Sequence, residues 1–170
     1  MTSIRTLLFC FTACIGLGLA MPPASAGTLV AYAASARAGV IIVDTSARQL
    51  YLVLGNGQAL RYPVGVGRAG RQWAGTSRIA GRYSLPAWAP PAAIRAAQPE
   101  LPALIAGGAP GNPMGAAAMT LAGGNYAIHG TNSPGSIGGF VSYGCIRMYN
   151  ADIIDLMSRV RVGTPVEVRL

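Results

Sequence analysis

The spacing of apolar and polar positions changes along this chain, and the changes divide it into strands, turns and one helix. Residues 40–43 (Val-Ile-Ile-Val) form a short β-branched run, and a second apolar run covers 49–54 after the polar turn Asp44-Thr45-Ser46. Asn56-Gly57 follows, a strong short-range hairpin signal, because both central residues of that turn need positive φ. Leu60, Tyr62 and Val64 then alternate. The pattern predicts three antiparallel strands joined by two tight turns. Further strands are predicted over 79–85, 116–122 and 126–129. A last one covers 164–170, where Val166 and Val168 alternate with Glu167 and Arg169. One stretch has helical period. Ile153, Met157 and Val160 fall at i, i+4 and i+7, Asn150 is placed as N-cap, and Asp152 lies in the first turn. Arg159 and Arg161 crowd the far end, and Gly163 is the stop. The fold class is therefore mainly β: a β-rich α+β domain with one clear C-terminal helix.

The intervals are distinctive. Residues 27–37 are small and alanine-rich and read as a loose lead-in. Residues 65–75 and 130–144 are glycine-rich and read as loops. Residues 86–115 carry prolines at 86, 90, 91, 99, 102, 110 and 113, a density that forbids long helices and central strands. So long a connection is usually functional. It reads as a covering loop over the active-site side, with one helical turn at 94–97.

Composition narrows the class. A chain of 170 residues, 52% apolar and 11% charged, holds one domain with a real core. Its first 26 residues read as a secretory signal peptide: Arg5 is the positive region, 7–19 the apolar region, and Ala24-Ser25-Ala26 a small-residue cleavage site. The apolar run is shorter than the ~20 residues a membrane span needs. Cleavage therefore leaves a domain at 38–170, exported to the periplasm or cell envelope, with no stable membrane span. It also removes Cys10 and Cys14, so that Cys145 is the one cysteine of the mature chain. All thirteen basic residues are arginines, against five acids, for a net charge of +8. They form no run and have no interleaved aromatics, which argues against a nucleic-acid partner. An exported basic domain is suited instead to an anionic envelope polymer or a membrane surface, and the alternative is solvated charge that keeps an alanine-rich surface soluble.

The candidate chemistry lies in His129-Gly130-Thr131 and in Ser142-Tyr143-Gly144-Cys145-Ile146-Arg147-Met148. His129 is the sole histidine. A thiol becomes a good nucleophile when a base takes its proton, and imidazole is the usual base. His129 ends a predicted strand, and a backbone carbonyl is the simplest partner for its second ring nitrogen. Tyr143, Gly144 and Cys145 offer consecutive backbone N–H groups for an oxyanion, with Gly144 permitting unusual dihedrals. Arg147 could bind a substrate carboxylate or favour the thiolate; a salt bridge to Asp152 or Asp155 is the alternative. Tyr126 and Met148 read as core. One histidine and one mature cysteine are too few for zinc, and no metal or cofactor is assigned.

These two segments resemble the signature of the YkuD-type L,D-transpeptidase catalytic domain. Asn112-Pro113-Met114-Gly115, Trp88-Ala89-Pro90-Pro91 and the opening strands over 40–66 resemble further family elements, so the likeness covers about 38–170. It implies a sandwich- or barrel-like β catalytic domain acting in cell-wall biogenesis and cell shape. It implies that Cys145 attacks a stem tetrapeptide of peptidoglycan, with release of D-alanine and formation of a thioester. His129 is the implied base, oriented by the Gly130 carbonyl, with Tyr143, Gly144 and Cys145 as oxyanion donors. Arg147, Thr131 and Ser142 are the expected substrate-binding residues. The acceptor is a second stem peptide or a wall-anchored protein. Alternatives are a carboxypeptidase (a hydrolase) or D-amino-acid exchange enzyme using the same acyl-enzyme, and a non-catalytic envelope-binding protein. The chain departs from the family twice: Tyr143 stands where many members have histidine, and Ala117 where an arginine is frequent.

Overall fold

A computed structural model describes residues 27–33, 37–124 and 126–170. The expected signal peptide lies outside the described residues. The strands are β1 (Thr28–Ala31), β2 (Ile41–Asp44), β3 (Gln49–Gly55), β4 (Gln58–Pro63), β5 (Val66–Gly67), β6 (Gly75–Ser84), β7 (Ala117–Leu121), β8 (Ala127–His129), β9 (Phe140–Ser142), β10 (Ile146–Arg147) and β11 (Pro165–Arg169). The helices are α1 (Ala92–Ala97) and α2 (Asn150–Arg159). Nine strands form one sheet in the order β1-β4-β3-β2-β11-β6-β7-β8-β10, and β5 pairs with β9 in a second. The mainly β class holds, in open sheets.

The β3–β4 hairpin turns on Asn56 and Gly57, with φ of 50° and 72°, the left-handed pair its sequence predicts. The long strand β6 joins the two halves of the sheet, pairing with β11 on one side and β7 on the other. Ile41, Val43, Leu50, Tyr62, Ile79, Met119, Ile128 and Ile146 point into one core, closed by Ile153 and Leu156 of α2. The helix therefore buries 153 and 156, while Met157 is only partly covered. Tyr62 ties sheet to helix by donating its hydroxyl to Asp155 Oδ2 at 2.7 Å.

Three expectations are corrected. The lead-in contains β1, an edge strand pairing antiparallel with β4. The two glycine-rich loops meet: Val66 pairs with Phe140 and Gly67 with Ser142, in parallel. Asn150 does not cap α2, whose N-cap position is Tyr149 and carries no side-chain cap. Its Oδ1 instead accepts the N–H groups of Ala116 and Thr131, both at 3.0 Å.

The proline-rich segment is pinned from within. Buried Asn112 donates its amide to the carbonyls of Pro86 and Ala106, each at 2.9 Å, and to Ile105 at 3.3 Å. Its Oδ1 accepts the N–H of Met114 at 2.9 Å. Trp88 and Ile105 exchange backbone hydrogen bonds at 2.8 Å, closing the segment's base.

Candidate active site

Strand register brings the two signature segments together. β8 and β10 run parallel, with Ile146 opposite Ile128 and Arg147 opposite His129. Side chains alternate across a strand, so Ile128 and Ile146 face the core while His129 and Arg147 stand side by side on the other face. Cys145 immediately precedes β10, two residues before Arg147, and so shares that face. All three line one cleft of about 510 Å³. The covering segment and α1 supply a wall of Trp88, Pro91, Ile94, Pro113 and Met114; Tyr126, Tyr143 and Arg71 complete the cleft.

His129 is 4% exposed. Its Nδ1 lies 2.6 Å from the carbonyl oxygen of Gly130. A carbonyl only accepts, so Nδ1 carries the proton and the lone pair is on Nε2. Burial lowers the pKa of the ring to about 4, helped by the charge of Arg147, while the carbonyls of Gly130 and Pro113 pull the other way. Burial raises the Cys145 thiol above its ordinary value, opposed by a backbone hydrogen bond at Ala127 and by Arg147. At neutral pH the pair is therefore thiol and neutral imidazole.

The turn before the sulfur is braced by its own serine. Ser142 Oγ donates to the Cys145 carbonyl at 2.6 Å and accepts the Gly144 N–H at 3.0 Å. Gly144 has φ of 120°, and a Cβ there would enter the Tyr126 ring. Tyr126 in turn stacks on Trp73, centroids 4.9 Å apart, and Trp73 Nε1 donates to the Gly144 carbonyl at 2.9 Å.

Several expected residues take different places. Thr131 is buried outside the cleft, its hydroxyl accepting the N–H of Ser133 at 3.0 Å. Ser142 touches the cleft but spends its hydroxyl on the turn. The Gly144 N–H is already donated to that hydroxyl. Arg147 pairs with neither Asp152 nor Asp155; Asp155 is held by Arg159 at 2.7 Å, and Arg147 Nε is buried without a hydrogen-bond partner. Met148 is core, and Tyr126 packs against the core while also lining the cleft. Arg71, Trp73 and Met114 were not singled out as site residues by sequence. Asn112-Pro113-Met114-Gly115 resembles a family element and so marks Met114, whereas nothing local marks Arg71.

Known proteins resemble this chain over most of its length. The L,D-transpeptidase catalytic domain of the YkuD family matches residues 38–168. Among named relatives, "Probable L,D-transpeptidase YbiS" of Escherichia coli K12 is 38% identical over 137 residues, covering 76% of this chain and 44% of that protein. "Probable L,D-transpeptidase ErfK/SrfK" of Salmonella typhimurium LT2 is 37% identical over 140 residues, covering 78% and 44%. The chain thus spans less than half the length of these relatives. In fold it is similar to an L,D-transpeptidase from Mycobacterium smegmatis, with a TM-score of 0.61 at 19% identity, covering 77% of this chain and 58% of that one. With family match, relatives and fold in agreement, this chain belongs to the YkuD L,D-transpeptidase catalytic domain family.

Proposed function

We propose that the protein is an exported cell-envelope transpeptidase that moves an acyl group from a peptidoglycan stem tetrapeptide to an amine. The observation that carries this reading is the shared face of His129, Cys145 and Arg147 in one cleft. His129 Nε2 takes the thiol proton as Sγ attacks the carbonyl of the third stem residue. The developing oxyanion is met by backbone N–H groups of the 143–145 turn. That of Gly144 is committed to Ser142, so Tyr143 and Cys145 are the donors assigned here. The carbon–nitrogen bond to the terminal D-alanine breaks, His129 returns the proton to the leaving amine, and a thioester on Cys145 remains. An acceptor amine attacks the thioester and loses its proton to His129. The thiolate leaves and is reprotonated, releasing the new amide. The acceptor amine belongs to a second stem peptide, giving a 3→3 cross-link, or to a wall-anchored protein.

Because the resting pair is uncharged, proton transfer accompanies attack, and no preformed thiolate is required. The Gly130 carbonyl fixes the tautomer that leaves Nε2 free to accept.

The test is incubation of the mature protein with purified disaccharide-tetrapeptide, beside Cys145→Ala, followed by mass spectrometry. A dimer lacking one D-alanine, absent with the variant, is the expected result. Tripeptide alone would replace the transpeptidase reading by the carboxypeptidase one. No change with any stem peptide would overturn the enzyme's assignment to this substrate.

A further inference from the structure

The cleft is electrically one-sided. Arg147 and Arg71 line it, and none of the chain's five acids does. Arg147 sits beside the reacting groups, but Arg71 has no place in the chemistry described above. It belongs to a turn that folds back on itself: the Arg71 N–H donates to the Arg68 carbonyl at 2.9 Å. Gly67 permits this approach, since a Cβ there would collide with the Arg71 carbonyl. The turn is fastened to the strand that leads to Cys145, through the Gly67–Ser142 pairing and the Arg68 N–H donated to the Ser142 carbonyl at 3.0 Å.

Both guanidinium groups of the turn lie over one ring. Arg68 Cζ is 4.0 Å and Arg71 Cζ 5.6 Å from the centroid of Tyr143, two residues from the sulfur. The ring face attracts each cation, but the cations repel one another, and neither has a carboxylate partner among the described residues. Two like charges gathered on one ring at the rim of an acid-free cleft form a receptor for an anion. Guanidinium groups match a carboxylate in shape as well as charge.

Resting on the peptide-acyl reading above, we infer that Arg71, with Arg68 stacked on Tyr143, binds a free carboxylate of the donor peptide next to the attacked carbonyl. These residues set specificity; they do not take part in bond making. Two carboxylates of a stem peptide lie close enough to be the ligand: the C-terminal one of the leaving residue, and the side-chain one of the diaminoacyl residue whose carbonyl is attacked. Placing tyrosine at 143 serves this purpose, because its ring presents a broad face to both arginines.

The test measures equilibrium binding in the Cys145→Ala background, so that the peptide stays intact. Three tetrapeptides are titrated: unmodified, amidated at the C-terminus, and amidated at the side-chain carboxyl. One amidation should weaken binding about tenfold, as expected for a charge-assisted hydrogen bond at a partly exposed site. The affected peptide identifies which carboxylate is read. Arg71→Gln should abolish the difference, and Arg71→Lys should restore part of it. Equal binding of all three peptides, a preference that survives Arg71→Gln, or no binding of any would overturn the inference. Turnover of the same peptides by the Cys145 enzyme reports separately on the acyl-transfer reading, so the two fail independently.

Discussion

Asn150 Oδ1 accepts the backbone N–H of Thr131 at 3.0 Å, and the same oxygen accepts that of Ala116. One amide oxygen at the start of α2 thereby holds both the segment leaving His129 and the end of the covering segment. Gly115 and Gly130 make room for it, since a Cβ on either would meet this oxygen. Asn150→Ala leaves two N–H groups without their acceptor and should cost about 1–2 kcal/mol. Urea unfolding with an unchanged m-value would show it. Asn150→Asp keeps an acceptor and should recover most of the loss; equal destabilisation by both would contradict this account.

His129 makes stability depend on acidity. Its pKa is about 4 in the folded protein, against the ordinary 6.5. The unfolded chain takes up this proton as pH falls through 6.5, and the folded chain only near 4. The stability associated with the neutral ring is thus complete above 6.5 and declines between 6.5 and 4. Unfolding measured across that window should show a smaller slope for His129→Gln than for the parent protein. The acid limb of kcat/KM should likewise centre near 4 rather than 6.5.

Cys145 should react slowly with simple electrophiles at neutral pH. Burial holds its thiol above the ordinary range, and the charge of Arg147 counteracts this in part. Alkylation by iodoacetamide at pH 7 should lag behind that of a small free thiol and accelerate as the solution is made alkaline. Arg147→Gln should slow it further. Faster alkylation in that variant would mean that Arg147 shields the sulfur more than it favours the thiolate.

Gly144→Ala should damage the site more than a single methyl usually does. The backbone φ of 120° disfavours any side chain, and the new Cβ would enter the Tyr126 ring. The expected cost is about 2 kcal/mol or more. Near-ultraviolet circular dichroism should report displacement of the Trp73–Tyr126 stack, together with loss of turnover.

The large elements were legible because their patterns are long. The Asn56-Gly57 hairpin, the alternation through 60–64 and 164–170, and the helical period after Asn150 each repeat often enough to specify a structure. Strands β5 and β9 have two and three residues and lie among glycines, too short for any period to show. β1 was obscured by the alanines around it and by its place at the sheet edge, where burial is incomplete. Asn150 was misread because asparagine favours caps in general, whereas here a tertiary demand, two orphan N–H groups on other segments, claims its side chain. His129 and Cys145 could be found by residue type alone. Arg71 could not, because its position depends on a turn that only the β5–β9 pairing brings to the cleft.

The hydrogen bonds of Ser142 alter how the signature itself reads. Its hydroxyl closes a small ring around Gly144 and Cys145, and this ring would form whatever side chain stood at 145. On the proposed reading, serine and glycine in that run are instructions for folding, and histidine and cysteine instructions for reaction. The two sets can separate in evolution. A descendant that lost the sulfur would keep the turn, the aromatic stack and the cleft, and would inherit a ready-made receptor for the same ligands with the chemistry switched off.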